Sequence, residues 1–266
     1  MQFSFRVYDA VTIRSNPTTQ VGITIDGWPG NTFMLWFPEV VGDLWQQWNP
    51  PVAHQDFTTT DRGGLRWTYE GNPAASIQSE LTPQANSLLL VTRVMNRGHD
   101  ELKHVYAQNC IHFSQAPGFI CDDYSRFYIR SAGQWRSLAS LKPTSGFPRY
   151  YREGYPSRGR IDPTEHQFGD IRQETPVDHP LMVLISQDGK RAVGVASERY
   201  EFLFHNQMEY LRCIHSESGC MPILPAGQTA EFREKIYFVE GGLKECVAAF
   251  ERDVQWDQAG EFSFRG

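Results

Sequence analysis

The sequence lacks long apolar runs, paired-cysteine motifs, an excess of positive charge, and almost all helical periodicity. Each absence excludes something. No stretch approaches the ~20 apolar residues that a membrane-spanning helix needs. The N-terminus, MQFSFRVYDA, alternates apolar and polar residues instead of carrying the apolar core of a secretion signal. The formal net charge is -6, and basic and acidic residues are mixed throughout. Nucleic acid and anionic membranes are bound through concentrated positive charge, so neither is expected as a partner. The five cysteines are odd in number and include no CxxC pair, which points to thiols in a reducing compartment and a cytoplasmic location.

What is present is a period of two. Phe3, Phe5 and Val7 alternate with polar residues, as does Val21 to Ile25. Leu88 to Asn96 reads as a strong strand ending in a turn at Asn96-Arg97-Gly98, and a second strand follows from about Lys103 to Phe113. Phe127 to Arg130 turns at Ser131-Ala132-Gly133 and resumes at Gln134-Trp135. Leu181 to Ile185 and Ala192 to Ser197 flank a turn at Gln187-Asp188-Gly189-Lys190, the pattern of a hairpin. Glu231 to Val239 alternates again. One helix is expected near the C-terminus, where Gly241-Gly242 precedes Leu243, Cys246, Val247 and Phe250 at helical spacing. Many short strands and one short helix predict an all-β chain, an antiparallel sandwich or barrel. With no linker or low-complexity tract, its 266 residues read as a single domain.

Lys142 to Pro180 breaks the rhythm. It holds six prolines and is rich in Arg and Tyr, including Arg149, Tyr151 and Arg152. A loop of this length inside a domain is commonly functional, and its aromatics argue against disorder. Arginine and tyrosine together suit the hydroxyl and carboxylate groups of a sugar-like ligand. A surface excursion packed by its own tyrosines is the equal alternative.

One tripeptide occurs twice. Cys110-Ile111-His112 and Cys213-Ile214-His215 each close a strand. Residues two apart in a strand share a face. His104, Tyr106, Gln108, Cys110 and His112 therefore form one face, chemically active where Lys, Glu and Thr would mark plain solvent surface. Val105, Ala107, Asn109, Ile111 and Phe113 form the other, mostly apolar. Cys213 and His215 likewise share a face. Three chemistries fit these residues. A facing histidine pair could act as general acid and base. Histidines with a carboxylate could hold a divalent metal. A thiol beside histidine could be a nucleophile. Structural histidines and core cysteines are the plain alternative.

Other residues carry weaker signals. Trp28, Trp36, Trp45 and Trp48 cluster early; Trp36 is expected in the core, and Trp45 and Trp48 are candidate stacking residues of a cleft. Asp122 and Asp123, before Tyr124 and Arg126, could be an acid site or metal ligands, though Asp-Asp in a turn is more often a solvated pair. Asn206, beside His205, could bond a ligand or form a turn. Arg93, in an otherwise apolar strand, calls for a partner such as Glu80 or a substrate carboxylate.

The stretch LLLVTRVMNRGHDELKHVYAQNCIHFSQAPGF resembles a pattern of the aldose 1-epimerase (galactose mutarotase) superfamily, and RCIHSESGCMPILPAGQTAEFREKIYF resembles its C-terminal pattern, with a Pro-Gly-Glu-like turn at Leu224 to Gln228. The resemblance covers about a third of the chain. It implies an antiparallel galactose mutarotase-like supersandwich with few short helices. In mutarotases the first stretch carries a histidine that protonates the ring oxygen, and the second a glutamate that takes the anomeric hydroxyl proton. Cys110 stands at the histidine position, with His112 two residues on, and His215 stands at the glutamate position. The implied function is acid–base chemistry (epimerisation, mutarotation or elimination) on a sugar or sugar acid, small or oligomeric. His112 and His215 are its expected proton-transfer pair, and Arg93, Asp122, Arg126, Arg149, Tyr151, Arg152, Asn206 and Trp45 its expected substrate contacts. The alternatives are a non-catalytic carbohydrate-binding protein and a metal-dependent sugar enzyme with histidine ligands; no cofactor is otherwise implied.

Overall fold

The computed structural model describes residues 1–13, 16–42, 57–142, 148–153, 171–208, 211–217 and 220–265. Two nine-stranded sheets dominate. In spatial order the first runs Phe3–Ile13, Asn16–Ile25, Phe33–Gly42, Leu102–His112, Leu211–Glu217, Phe202–Met208, Pro148–Arg152 and Ile171–Val177, with Met221–Leu224 also paired to Leu102–His112. The second runs Gln134–Ser137, Phe127–Ser131, Leu181–Ile185, Arg191–Ser197, Thr229–Glu240, Ser87–Asn96, Ala75–Pro83, Leu65–Tyr69 and Thr58–Thr59. The pairings are antiparallel except Pro148–Arg152 with Ile171–Val177.

The alternation read in the sequence sets the layers. Phe33 of the first sheet meets Phe238 of the second with ring centroids 5.2 Å apart, and Phe113 packs on Phe33 at 6.0 Å. Ser197 of the second sheet donates its amide to Ser216 Oγ of the first at 2.9 Å. Leu35, Ile111, Phe113 and Ile214 therefore face inward and join the main core with Leu88, Leu90 and Ile236. Burying such side chains stabilises by about 1.5–3 kcal/mol each. Their strand neighbours Trp36, Cys110, His112, Cys213 and His215 point to the outer face of the first sheet.

The expected helix forms at Leu243–Asp253, where Glu245 accepts the Gly242 amide proton at 2.9 Å. It covers the outer face of the second sheet, and its Asp253 carboxylate takes Lys235 Nζ at 2.6 Å and Tyr237 OH at 2.9 Å. Gly194 lies under it because a Cβ there would come 2.7 Å from Cys246 Sγ.

Within the Lys142 to Pro180 segment, expected as one long loop, residues 143–147 and 154–170 lie outside the described residues. Two of the described parts, Pro148–Arg152 and Ile171–Val177, are strands of the first sheet. Tyr150 is fully buried on the inner side; Pro148 is the first residue of its strand and Pro176 lies in the edge strand, the positions where a sheet accepts proline. Among the described residues no helix is long and apolar enough to cross a membrane.

Candidate functional site

The two Cys-Ile-His copies lie side by side and run in opposite directions. Cys213 pairs with His112 and Ile214 with Ile111, and the same register sets His215 across from Cys110. Two rows of side chains cross the outer face of the sheet as a result. One runs Trp36, Cys110, His215, Phe204, Arg149; the other runs Met34, His112, Cys213, Asn206. Directly opposed side chains in an antiparallel pair share a face and lie about 5 Å apart.

Hydrogen bonds fix the two imidazoles differently. Glu39 Oε2 lies 3.0 Å from His215 Nε2 and accepts Gln108 Nε2 at 2.6 Å. Glu39 reaches the face because pairing between the Phe33–Gly42 and Leu102–His112 strands slips between Trp36 and Val40. Two extra residues bulge there and redirect the carboxylate. His215 stacks on Phe204 at 3.9 Å and lies 3.8 Å, through Nδ1, from Cys213 Sγ. His112 Nδ1 pairs with Ser114 Oγ at 3.0 Å, and the ring leans on Trp36 at 5.3 Å.

The electrostatics follow from these partners. Burial opposes charge on His215, but the Cys213 sulfur and the Glu39 carboxylate outweigh it and lift its pKa to about 10. Burial also dominates at His112, which Glu39 only partly offsets, so its pKa falls to about 4. Burial would raise Glu39, yet His215 and Gln108 bring it below the usual value. The Cys110 thiol is pushed well up by burial, whereas its hydrogen bond to Cys213 and the His215 charge overcome burial at Cys213 and lower it to about 6. At neutral pH the face therefore holds a charged imidazole and a neutral one on adjacent strands.

Among the described residues seven buried side-chain polar atoms have no hydrogen-bond partner, and three of them, Trp36 Nε1, His112 Nε2 and Asn206 Oδ1, lie on this face. Buried polar groups are rarely left unpaired, so each is a place where a ligand or water can supply the partner. The sulfurs of Cys110 and Cys213 and a ring nitrogen of His215 lie within 4.8 Å of one another, a spacing that could hold a metal ion.

The other expected site residues divide. Arg149 and Tyr151 share the site face: the Arg149 guanidinium lies 4.9 Å over the Phe202 ring and 5.8 Å over Phe204, and Tyr151 packs on Phe202 at 5.3 Å. Asn206 sits in a strand, not a turn, directly across from Cys213. Arg152 points the other way, to Glu261 at 2.5 Å and over Tyr200. Arg93 is on the outer face of the second sheet, 40% exposed and paired with Glu231 at 2.8 Å, whereas Glu80 pairs with Arg66; the burial expected for Arg93 does not occur. Asp122 is 67% exposed and pairs with Arg212 at 2.6 Å. Asp123 closes a turn on Ser125. Arg126 donates to the carbonyls of Ile185, at 2.6 Å, and Ile120, so it ties two loops together. His205 is inside the sandwich, stacked among Tyr124, Phe127 and Tyr150. Trp45 and Trp48 lie outside the described residues. Trp36 is buried as expected, but on the site face rather than between the sheets.

Glu39 is the residue that sequence reading missed. Its signal was available: it is the single charged side chain in FMLWFPEVVG.

No protein-family model and no curated protein matches the chain. Solved structures do. The Slr1438 protein from Synechocystis is 13% identical, with a TM-score of 0.51 over 88% of this chain and 96% of that one. A galactose mutarotase-like protein from Lactobacillus casei is 10% identical, with a TM-score of 0.50 over 86% of this chain and 100% of its own. A galactose mutarotase related enzyme from Lactobacillus acidophilus is 11% identical, with a TM-score of 0.50 over 90% and 100%. The chain has the galactose mutarotase-like fold. Within it, Cys110 and His215, the residues that the sequence resemblance set at the two catalytic positions, oppose each other on neighbouring strands.

Proposed function

We propose that the chain acts on a carbohydrate at the outer face of the first sheet, moving a proton at or near the anomeric carbon of a sugar or sugar acid. The observation that carries this reading is the antiparallel crossing of the two Cys-Ile-His copies, which gathers two histidines of unlike surroundings onto one face. Glu39 on His215 Nε2 stabilises an imidazolium and suits His215 to donate. His112, held only by a hydroxyl, suits the acceptor. The carboxylate that a mutarotase carries at the position of His215 is supplied here from a different strand, by Glu39.

The unpartnered Trp36 Nε1, His112 Nε2 and Asn206 Oδ1 offer a donor and acceptors to sugar hydroxyls. Arg149 and Tyr151 border the same rows. Two of the solved structures that share the fold are named for galactose mutarotase. We place the chemistry in a reducing compartment, the cytoplasm, because the five cysteines are odd in number and include no CxxC pair.

The test is saturation-transfer NMR on a panel of aldoses and uronic acids with the full chain. Accelerated exchange between anomers, or exchange of a sugar C–H with solvent, is the expected result. A sugar that binds and exchanges nothing would make the chain a binding protein and overturn the catalytic reading.

A further inference from the structure

The same face holds a feature that proton transfer does not use: two thiols beside the histidines. Cys110 Sγ, Cys213 Sγ and a nitrogen of His215 converge within 4.8 Å, and all three residues are fully buried. Around zinc at Zn–S distances near 2.3 Å, tetrahedral ligands lie about 3.8 Å apart. The cluster thus needs to contract by about 1 Å at most.

Neither a disulfide nor plain core packing accounts for the paired thiols. Cys110 and Cys213 are diagonal, not directly opposed, in the register. Their sulfurs stand as free thiols in hydrogen-bond contact, with no bridge between them. Nor do they belong to the body of the core, because they cluster with Trp36 apart from the two larger cores.

The imidazoles carry an independent sign. A metal-binding histidine usually offers one nitrogen to the ion and bonds an outer partner through the other. His215 has Glu39 on Nε2, so Nδ1 is the nitrogen left for an ion; the Cys213 sulfur lies 3.8 Å from Nδ1 and 3.9 Å from Nε2. His112 has Ser114 on Nδ1, and its Nε2 is buried without a partner, on the residue directly across from Cys213.

We propose that Cys110, Cys213 and His215 form a binding site for a soft divalent cation of the zinc type, with Glu39 as outer partner, and that His112, which lies outside the 4.8 Å group but across from Cys213 with its Nε2 unpartnered, turns in as the fourth ligand with Ser114 behind it. Two thiolates and two imidazoles select such an ion over calcium or magnesium, which prefer oxygen. Binding displaces whatever protons these ligands still carry. The ion occupies both nitrogens of the proton-transfer pair, so a loaded chain is expected to be inactive in that reaction and to recover with chelator. The metal site stands whether or not the sugar chemistry does.

The experiment uses the full, untagged chain, stripped with chelator under reducing conditions and titrated with Co²⁺. The expected result is one ion per chain, with the intense near-ultraviolet charge-transfer bands of cobalt–thiolate bonds and the visible bands of a tetrahedral site. Equimolar Zn²⁺ should erase both sets of bands. Cys110→Ser and Cys213→Ser should each weaken binding at least 100-fold, and Cys220→Ser should leave it unchanged. Should a serine variant fail to fold, mass-spectrometric mapping of thiols alkylated in the wild-type chain at a urea concentration that exposes Cys110 and Cys213 in the metal-free protein decides: zinc should protect these two and leave Cys220 as reactive as before. No charge-transfer band in the wild type, binding that survives both serine substitutions, or absence of zinc protection would each overturn the site.

Discussion

Cys213 lies directly across from His112 on the neighbouring antiparallel strand, and the pairing continues through Ile214 and Ile111. A tripeptide that occurs twice in the sequence thus occurs once in space, as a crossed pair. The isoleucines fall on the inner face and join the core, while the cysteines and histidines fall on the outer face. One register fixes both the packing beneath the site and the chemistry above it.

The isoleucine pair should behave as a unit. Ile111→Ala and Ile214→Ala are each expected to cost about 2–5 kcal/mol of stability. Because the two side chains are directly opposed, the double variant should depart from additivity by about 0.5–3 kcal/mol. Urea denaturation of the four proteins measures this. Strict additivity would mean that the two strands do not pair as described.

Glu39→Gln should destabilise the chain by about 1–3 kcal/mol, because it weakens a charge-assisted bond to a fully buried imidazole. The loss should shrink in a His215→Phe background, where that bond is absent and the Gln108 contact remains. An undiminished Glu39 effect there would mean that His215 is not the partner that carries it.

His205→Phe should flatten the acid limb of the stability curve. Burial holds the His205 pKa at about 3, with a small further push from His215. The unfolded chain titrates near 6.5 and so binds more protons between these values. Stability from this group is complete above pH ~6.5 and lost as pH falls, by about 2 kcal/mol between pH 7 and 5. The comparison of variant and wild type isolates His205 from His179 and His112, whose pKa values are also depressed. Parallel curves for the two proteins would contradict the buried, neutral assignment.

Arg93→Ala and Asp122→Ala remove half-exposed or exposed ion pairs, which contribute roughly 0–1 kcal/mol. Neither should change any sugar turnover, whereas Arg149→Ala, on the site face, should raise KM. Lost turnover in the Arg93 or Asp122 variant would return that residue to the site.

Strand parity was legible because it is local. The split between Cys110 and His112 on one face and Ile111 and Phe113 on the other follows from alternation alone. What pairs with what is not local: nothing in the chain states that residues about a hundred positions apart cross with cysteine opposite histidine. Glu39 was hidden by the bulge after Trp36, which breaks the alternation that would have located it. Arg93 was misleading for the opposite reason. An arginine within LLLVTRVMN looks buried, yet it occupies the outward phase of an otherwise inward strand. Arg152 fell on the wrong side of its strand from Arg149 by a single residue count, which could not be assigned while the segment read as loop.

The measurement that tests the central claim most directly is a turnover cycle for His112 and His215 on whichever sugar exchanges. Groups that act as one proton-transfer unit are grossly non-additive. His112→Gln and His215→Gln should each lower turnover by about 100-fold or more, and the double variant should be no slower than the slower single. Losses that multiply in the double variant, or turnover that survives either substitution, would contradict a shared site.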